Sequence, residues 1–447
     1  MQPVAAEQVL VPFEGEGSGE AELTWGQIGL WQSIEMSGSK TVPYIAELPP
    51  GMTVSAAAQR LRFMVSRHQS LRTRLELRSG APPRQRCSSA GEIPLAIVDA
   101  GDADPAEVAE AVSEHYQEKP FEFETEWPIR MAVIRSGGAL THMVMVILHT
   151  SIDAYGLTAL MSDVENPGPV TGVPPLEQAR KQASPAGQRH NQASLQYLEK
   201  VLRTVTPTRF GEPKYADEGI DQIQYRSPAM LLAIDAVAAR NGINTSPVLL
   251  ASFAVGLARF TGVNPVLAML MVSNRFRPGF AGSVSALIQI TPYLIDVADT
   301  TLDGAVARAS HSALNAYKNA YYNPYEQDEV IERVERERGE EIDLSCFYND
   351  RRQQDRGLSG APPSYDQIQE ALPRSTFSWT GEINPPKRKL YFNVDDPPGC
   401  IELMLSADRS YFSRDDLLAL VREVESVAVS AALDGTTPTN VTAAARV

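Results

Sequence analysis

Met143-Val144-Met145-Val146-Ile147-Leu148-His149-Thr150-Ser151-Ile152-Asp153-Ala154-Tyr155-Gly156 changes character halfway along. Its first half is an unbroken apolar run of strand length, which reads as a buried strand. A histidine leaves the strand end and an aspartate follows four residues later. A neutral imidazole titrates near working pH and can take a proton from an attacking amine or hydroxyl, while a turn-held carboxylate fixes the loop that aims it. That pattern suits acyl transfer with His149 as proton acceptor. A strand-end histidine also serves as an ordinary structural residue, so the rest of the chain has to supply the company. His142, Met143 and Met145 read as strand and core residues rather than ligands.

Upstream of this strand, Thr24-Trp25-Gly26-Gln27 has the form of a capping box, and Ile28, Trp31 and Ile34 continue it as one apolar helix face. Order is therefore expected to begin near Glu22, after a flexible N-terminus over residues 1–21. Thr53 caps a second helix whose apolar face is Val54, Ala58, Leu61 and Val65. Leu71, Thr73, Leu75 and Leu77 then alternate with Arg72, Arg74, Glu76 and Arg78, the pattern of a half-buried strand. A helix over 105–116 and a strand over 129–134 complete an α/β lobe spanning residues 22–165.

Downstream, Asn166-Pro167-Gly168-Pro169 to Pro174-Pro175 breaks every periodicity, which predicts a linker over 166–186. A second lobe is expected over 187–447. It starts with helices at 188–204 and 228–240, then a long apolar helix with Ser246 as cap and Pro247 at its first position. Strands are expected at 266–272, 285–295, 344–348, 390–394 and 401–407, with a final helix capped by Ser413. The alternating charges of 329–341 read as a solvated helix face, and 351–364 as a loop.

The chain has 447 residues, more than one core usually organises, so two lobes are expected. Hydrophobic content of 43% and charged content of 21% describe a globular protein. A formal net charge of -15 argues against nucleic acid or an anionic membrane as partner. Cys87, Cys346 and Cys400 are too far apart for a redox or metal motif and read as free thiols of a reducing compartment. His68, His115, His190 and His311 show no ligand spacing, so no metal site is assigned. The N-terminal stretch lacks the basic and apolar regions of a signal peptide, which predicts a cytoplasmic protein.

Several motifs in order carry a resemblance. Leu23-Thr24-Trp25-Gly26-Gln27-Ile28-Gly29-Leu30-Trp31 and Arg67-His68-Gln69-Ser70-Leu71-Arg72-Thr73-Arg74 are similar to the first two motifs of nonribosomal peptide synthetase condensation domains. Ser273-Asn274-Arg275-Phe276-Arg277-Pro278, Asn323-Pro324-Tyr325-Glu326 and Ser406 to Phe412 extend the likeness over nearly the whole chain. The family's central motif is two histidines, three variable residues, aspartate and glycine. Here Leu148 stands for the first histidine, His149 is the second, Asp153 is the aspartate and Ala154 replaces the glycine. Gln289 sits where an asparagine is usual, and the late arginine-serine motif is not recognisable.

The resemblance implies two chloramphenicol acetyltransferase-like α/β lobes forming a V around a central tunnel. It implies a phosphopantetheine arm of a carrier protein as substrate carrier, with no bound cofactor. The implied reaction joins a carrier-bound acyl or aminoacyl thioester to an amine or hydroxyl acceptor, forming an amide or ester in natural-product biosynthesis. On this reading the protein is a free-standing enzyme, and His149 orients or deprotonates the acceptor. Asp153 holds the loop through an ion pair with Arg275 or Arg277, and Gly156 lets the next helix start close by with its first amides aimed at a developing oxyanion. Tyr155, Gln289 and Trp379 are substrate-tunnel candidates; Trp379 has packing as its other reading. Arg72, Arg74, Arg351 and Arg352 are carrier-docking candidates or ordinary surface arginines. Two alternatives stand beside this reading: a non-catalytic docking module, favoured by Leu148 and Ala154, and a coenzyme A dependent acyltransferase of the same superfamily.

Overall fold

The structure is a computed structural model that describes residues 7–38, 40–216, 219–352, 361–380 and 388–443. It divides into two units that interleave along the chain. The first takes the residues up to Gln192 together with Ser273–Gln289 and Tyr321–Tyr325, and the second takes the remainder. A single boundary near residue 166 therefore does not describe the chain, because two later segments return to the first unit.

The first unit holds β1 (Glu7–Glu14), β2 (Gly19–Glu22), α1 (Trp25–Ser37), β3 (Thr41–Glu47), α2 (Val54–Arg67), β4 (Thr73–Arg78), β5 (Ala81–Cys87), β6 (Ala90–Asp99), α3 (Pro105–Glu118), β7 (Ile129–Ser136), β8 (Ala139–Leu148), α4 (Ala154–Glu165) and α5 (Pro175–Ala183). Its main sheet has the order β1-β6-β7-β8-β3, and β2-β5-β4 form a smaller one. Only β6 and β7 run parallel in the main sheet. The apolar run Met143 to Leu148 forms the buried part of β8. Met143, Met145 and Ile147 pack with Leu61 and Val65 of α2. Val144 packs with Val112 of α3, while Val146 and Leu148 join Trp25, Ile28 and Trp31 around α1. Helices on both sides leave no polar face, so the strand is continuous in apolarity rather than alternating.

The helix starts follow their capping chemistry. Thr24 and Gln27 form the capping box of α1, and Thr53 accepts the Ala56 amide at the start of α2. Residues 7–14 correct the expected flexible N-terminus: Val9, Val11 and Phe13 point inward on β1, which pairs antiparallel with β6. Acidic residues at the strand ends hid that alternation. The expected linker also contains α5, whose Gln178 and Gln182 are buried. Gln178 donates to the Val173 carbonyl and to Ser285, so polar side chains anchor this helix.

The second unit continues with α6 (Pro185–Thr204), which starts in the first unit, then β9 (Ile220–Ser227), α7 (Pro228–Asn241), α8 (Ser246–Thr261), β10 (Val266–Val272), β11 (Gln289–Ile295), α9 (Leu302–Lys318), α10 (Pro324–Arg338), β12 (Cys346–Asp350), α11 (Tyr365–Ala371), β13 (Thr376–Thr380), β14 (Leu390–Asp395), β15 (Ile401–Asp408) and α12 (Arg414–Leu433). Its sheet order is β11-β10-β12-β14-β15-β9-β13. Helix α8 is buried from Pro247 to Ala258 and ends at Gly262, whose φ of 72° is the left-handed cap conformation. Thr245, not Ser246, occupies the cap position of α8, since the Ser246 hydroxyl donates to Asp350 instead. Among the described residues no single helix is long and apolar enough to cross a membrane.

Candidate active site

Strand β8 ends at Leu148, and the chain turns at once: the Ser151 amide donates to the Leu148 carbonyl at 2.9 Å. The His149 amide donates to the Lys40 carbonyl at 2.9 Å, which ties the turn to the start of β3. The His149 ring is half-buried, and its Nδ1 lies 2.8 Å from the Ile152 carbonyl oxygen. A carbonyl only accepts, so Nδ1 carries the proton and Nε2 holds the lone pair of the neutral ring. The backbone thereby fixes the tautomer that a general base requires.

Asp153 caps α4. Its Oδ1 accepts from the Gly156 amide at 2.7 Å and from Arg275 Nη2 at 2.6 Å, and its Oδ2 accepts from the Leu287 amide at 2.8 Å. The carboxylate is 3% exposed and the guanidinium 10%. Burial of an ion pair is tolerable only with such saturation. Arg275 is itself wrapped by carbonyls, donating to Ser283 at 2.7 Å and to Ser285 at 3.1 Å. Arg277 is not the partner of Asp153: its Nε donates to Asn274 at 3.0 Å and its guanidinium sits 4.9 Å from the Tyr321 ring centre.

The Gly156 amide is spent on the Asp153 cap, so of the first amides of α4 this one is already engaged. Glycine is required there for space. A Cβ would lie 2.8 Å from Ile152 Cγ1 and 2.9 Å from the Ser285 carbonyl oxygen. The two departures from the central motif are locally harmless. Leu148 is 3% exposed within an apolar cluster, where a histidine would need a polar partner. Ala154 is exposed at the first turn of α4, a position where alanine favours the helix more than glycine does.

Tyr155 follows on α4 and lines a cavity together with Arg275. Gln289 is 5% exposed and donates to the Tyr322 carbonyl at 2.6 Å, which ties the returning 321–325 segment to the first unit. Trp379 belongs to the second unit, on edge strand β13 opposite Ile223, with the Arg414 guanidinium 5.1 Å from its ring. Among the described residues no group of three or more His, Cys, Asp or Glu is placed to hold a metal ion.

The proposed docking arginines do not form an exposed basic patch. Arg72 is 1% exposed and donates to the backbone carbonyls of Glu16 and Gly17. It lies in a 3-10 turn over Gln69–Arg72 that ends before β4, so strand alternation does not set its direction. Arg74 lies over Trp127 at 3.5 Å, and burial lowers its pKa. Arg352 is buried, donating to Asp350, Thr245 and Ser246, and Arg351 is paired with Asp395.

One cluster joins two residues of the second motif to a partner that had no signal in the sequence. Arg67 donates through Nε (2.6 Å) and Nη2 (3.0 Å) to Asp163, near the end of α4, and His68 Nε2 lies 3.0 Å from the same carboxylate. Burial, only partly offset by Asp163, holds the His68 pKa below its ordinary value.

The motif order and the α/β units are matched by the condensation domain family, whose model covers residues 18–395. The chain belongs to the condensation domain family. Its relatives include bacitracin synthase 2 of Bacillus licheniformis, 22% identical over 71% of this chain and 12% of that protein. The curated relatives are far longer, and the chain spans between 2% and 29% of their lengths. Among solved structures, a condensation domain mediating chain release from the enacyloxin polyketide synthase superposes with a TM-score of 0.69 at 18% identity, covering 97% of this chain and 85% of that one. The X-domain from teicoplanin biosynthesis gives 0.70 at 15% identity, covering 96% and 99%. At these identities the likeness of the solved structures concerns the fold of this condensation domain.

Proposed function

We propose that this condensation domain joins a carrier-bound acyl or aminoacyl thioester to an amine or hydroxyl acceptor. The hydrogen bond from His149 Nδ1 to the Ile152 carbonyl carries this reading, because it leaves Nε2 as proton acceptor. For an amine, the nitrogen attacks the thioester carbonyl carbon, the C–N bond forms and the C–S bond breaks. The proton shed by the nitrogen passes to Nε2 and on to the departing thiolate. A hydroxyl acceptor gives an ester by the same exchange. The phosphopantetheine arm of the carrier brings the thioester, and no covalent intermediate with the domain is needed.

Replacing His149 with alanine should slow product formation by about two to four orders of magnitude. The melting temperature should stay close to wild type, since the ring is half-buried and outside the ion pair. An unimpaired His149→Ala enzyme would overturn the reading.

A second reading is favoured by Leu148 and Ala154, which remove the first histidine and the glycine of the central motif. The domain would then be a non-catalytic docking module; among its structural neighbours, the teicoplanin X-domain is described in complex with OxyB. Retention of the His149 tautomer and the Asp153 cap is more than a silent surface needs, and we place catalysis first.

A further inference from the structure

Helix α4 also lines a cavity in which the acyl-transfer reading places no reacting group. Tyr155, Thr158, Ser162 and Asn166 fall on one helical stripe and line a cavity of about 420 Å³ within the first unit. That volume lies within the range of small-molecule sites. His68, Asp163 and Arg275 close its walls, and Val170, 52% exposed, adds an apolar patch with Pro169 and Ala159.

The charges around this cavity are compensated internally. Asp163 is gripped by Arg67 through two donors, and Arg275 is paired with the buried Asp153. The desolvated His68 is neutral near pH 7. A charged guest would therefore be desolvated without an unpaired counter-ion to receive it. What the walls offer are hydroxyl, amide and backbone groups beside a small apolar surface. Thr158 illustrates this: its hydroxyl donates to the Ala154 carbonyl at 3.2 Å, leaving its oxygen to accept.

We propose that this cavity binds a neutral, polyhydroxylated small molecule, whose hydroxyls meet the α4 stripe and whose C–H face rests on Val170. The site goes beyond the acyl-transfer reading and does not depend on it. Arg275 belongs to both, lining the cavity with the same side chain that holds Asp153, so occupation should also steady the start of α4.

The test uses the full chain and three ring compounds of like size in ligand-observed NMR: methyl glucoside (neutral), glucuronate (anionic) and glucosamine (cationic near neutral pH). Saturable binding of methyl glucoside is expected, with the two charged probes weaker. Ser162→Trp and Thr158→Trp, both at exposed positions on the stripe, should each lower its affinity at least about tenfold while circular dichroism melting stays unchanged. Absence of saturable methyl glucoside binding would overturn the proposal, as would preference for either charged probe. Affinity that survives both tryptophan variants would overturn it as well.

Discussion

The two ends of α4 are built from the same three residue types and put them to different uses. At its start, Asp153 pairs with Arg275 and His149 stands apart from the carboxylate, bonded instead to a backbone carbonyl. Near its end, Asp163 pairs with Arg67 and His68 reaches the carboxylate directly. The first arrangement separates the charge that holds the loop from the ring left with an available lone pair. The second ties ring, carboxylate and guanidinium into one clamp, and burial lowers the pKa of that ring. A histidine beside an Asp–Arg pair is thus not a catalytic signature by itself; what its nitrogens already bond to decides.

Removing the carboxylates should separate the two ends by size of effect. Asp153→Ala strands a buried guanidinium and takes away the α4 cap, so it should cost about 3–5 kcal/mol of folding stability. Asp163→Ala breaks hydrogen bonds to a partly exposed arginine and should cost about 1–3 kcal/mol. Urea unfolding of the two variants measures both, and equal losses would erase the contrast.

A smaller effect concerns pH. The His68 pKa is lowered in the folded state, so below the unfolded value of about 6.5 the unfolded chain binds more protons. Stability from this group is full above that pH and falls as pH drops toward the folded pKa. Burial raises the Asp163 pKa, but the Arg67 hydrogen bond and the nearby His68 and Arg67 charges bring it below its ordinary value. Its contribution is present above about 3.9 and is lost in more acid solution. His68→Gln should flatten the upper part of the stability–pH curve and weaken the lower part only by the share of the Asp163 shift that His68 supplies, leaving the Arg67 share. An unchanged slope just below neutrality in that variant would remove His68 from the account.

Much of the fold was legible because local rules agreed. The β8 run and the Thr24, Thr53 and Ser413 caps all appear where side-chain chemistry puts them. Strand β3 escaped notice because Pro43 interrupts it, which an edge strand of the sheet tolerates. At the site, His149 and Asp153 stood out from local pattern, and Arg275 came into view through the family motif. Asp163 could not be foreseen, since it meets His68 across 95 residues with no local spacing to mark it. Arg72 misled because alternation assigns a face only inside a strand, and it lies in the turn before one.

The central claim is that the start of α4 fixes His149 with its proton on Nδ1 and a lone pair on Nε2. Nitrogen-15 NMR of the imidazole rings, assigned with a His149→Gln variant, reads this directly in the neutral form. The account predicts a protonated Nδ1 and an unprotonated Nε2 for His149. A neutral ring protonated on Nε2 would contradict it, because the nitrogen left as acceptor would then be the one facing Ile152.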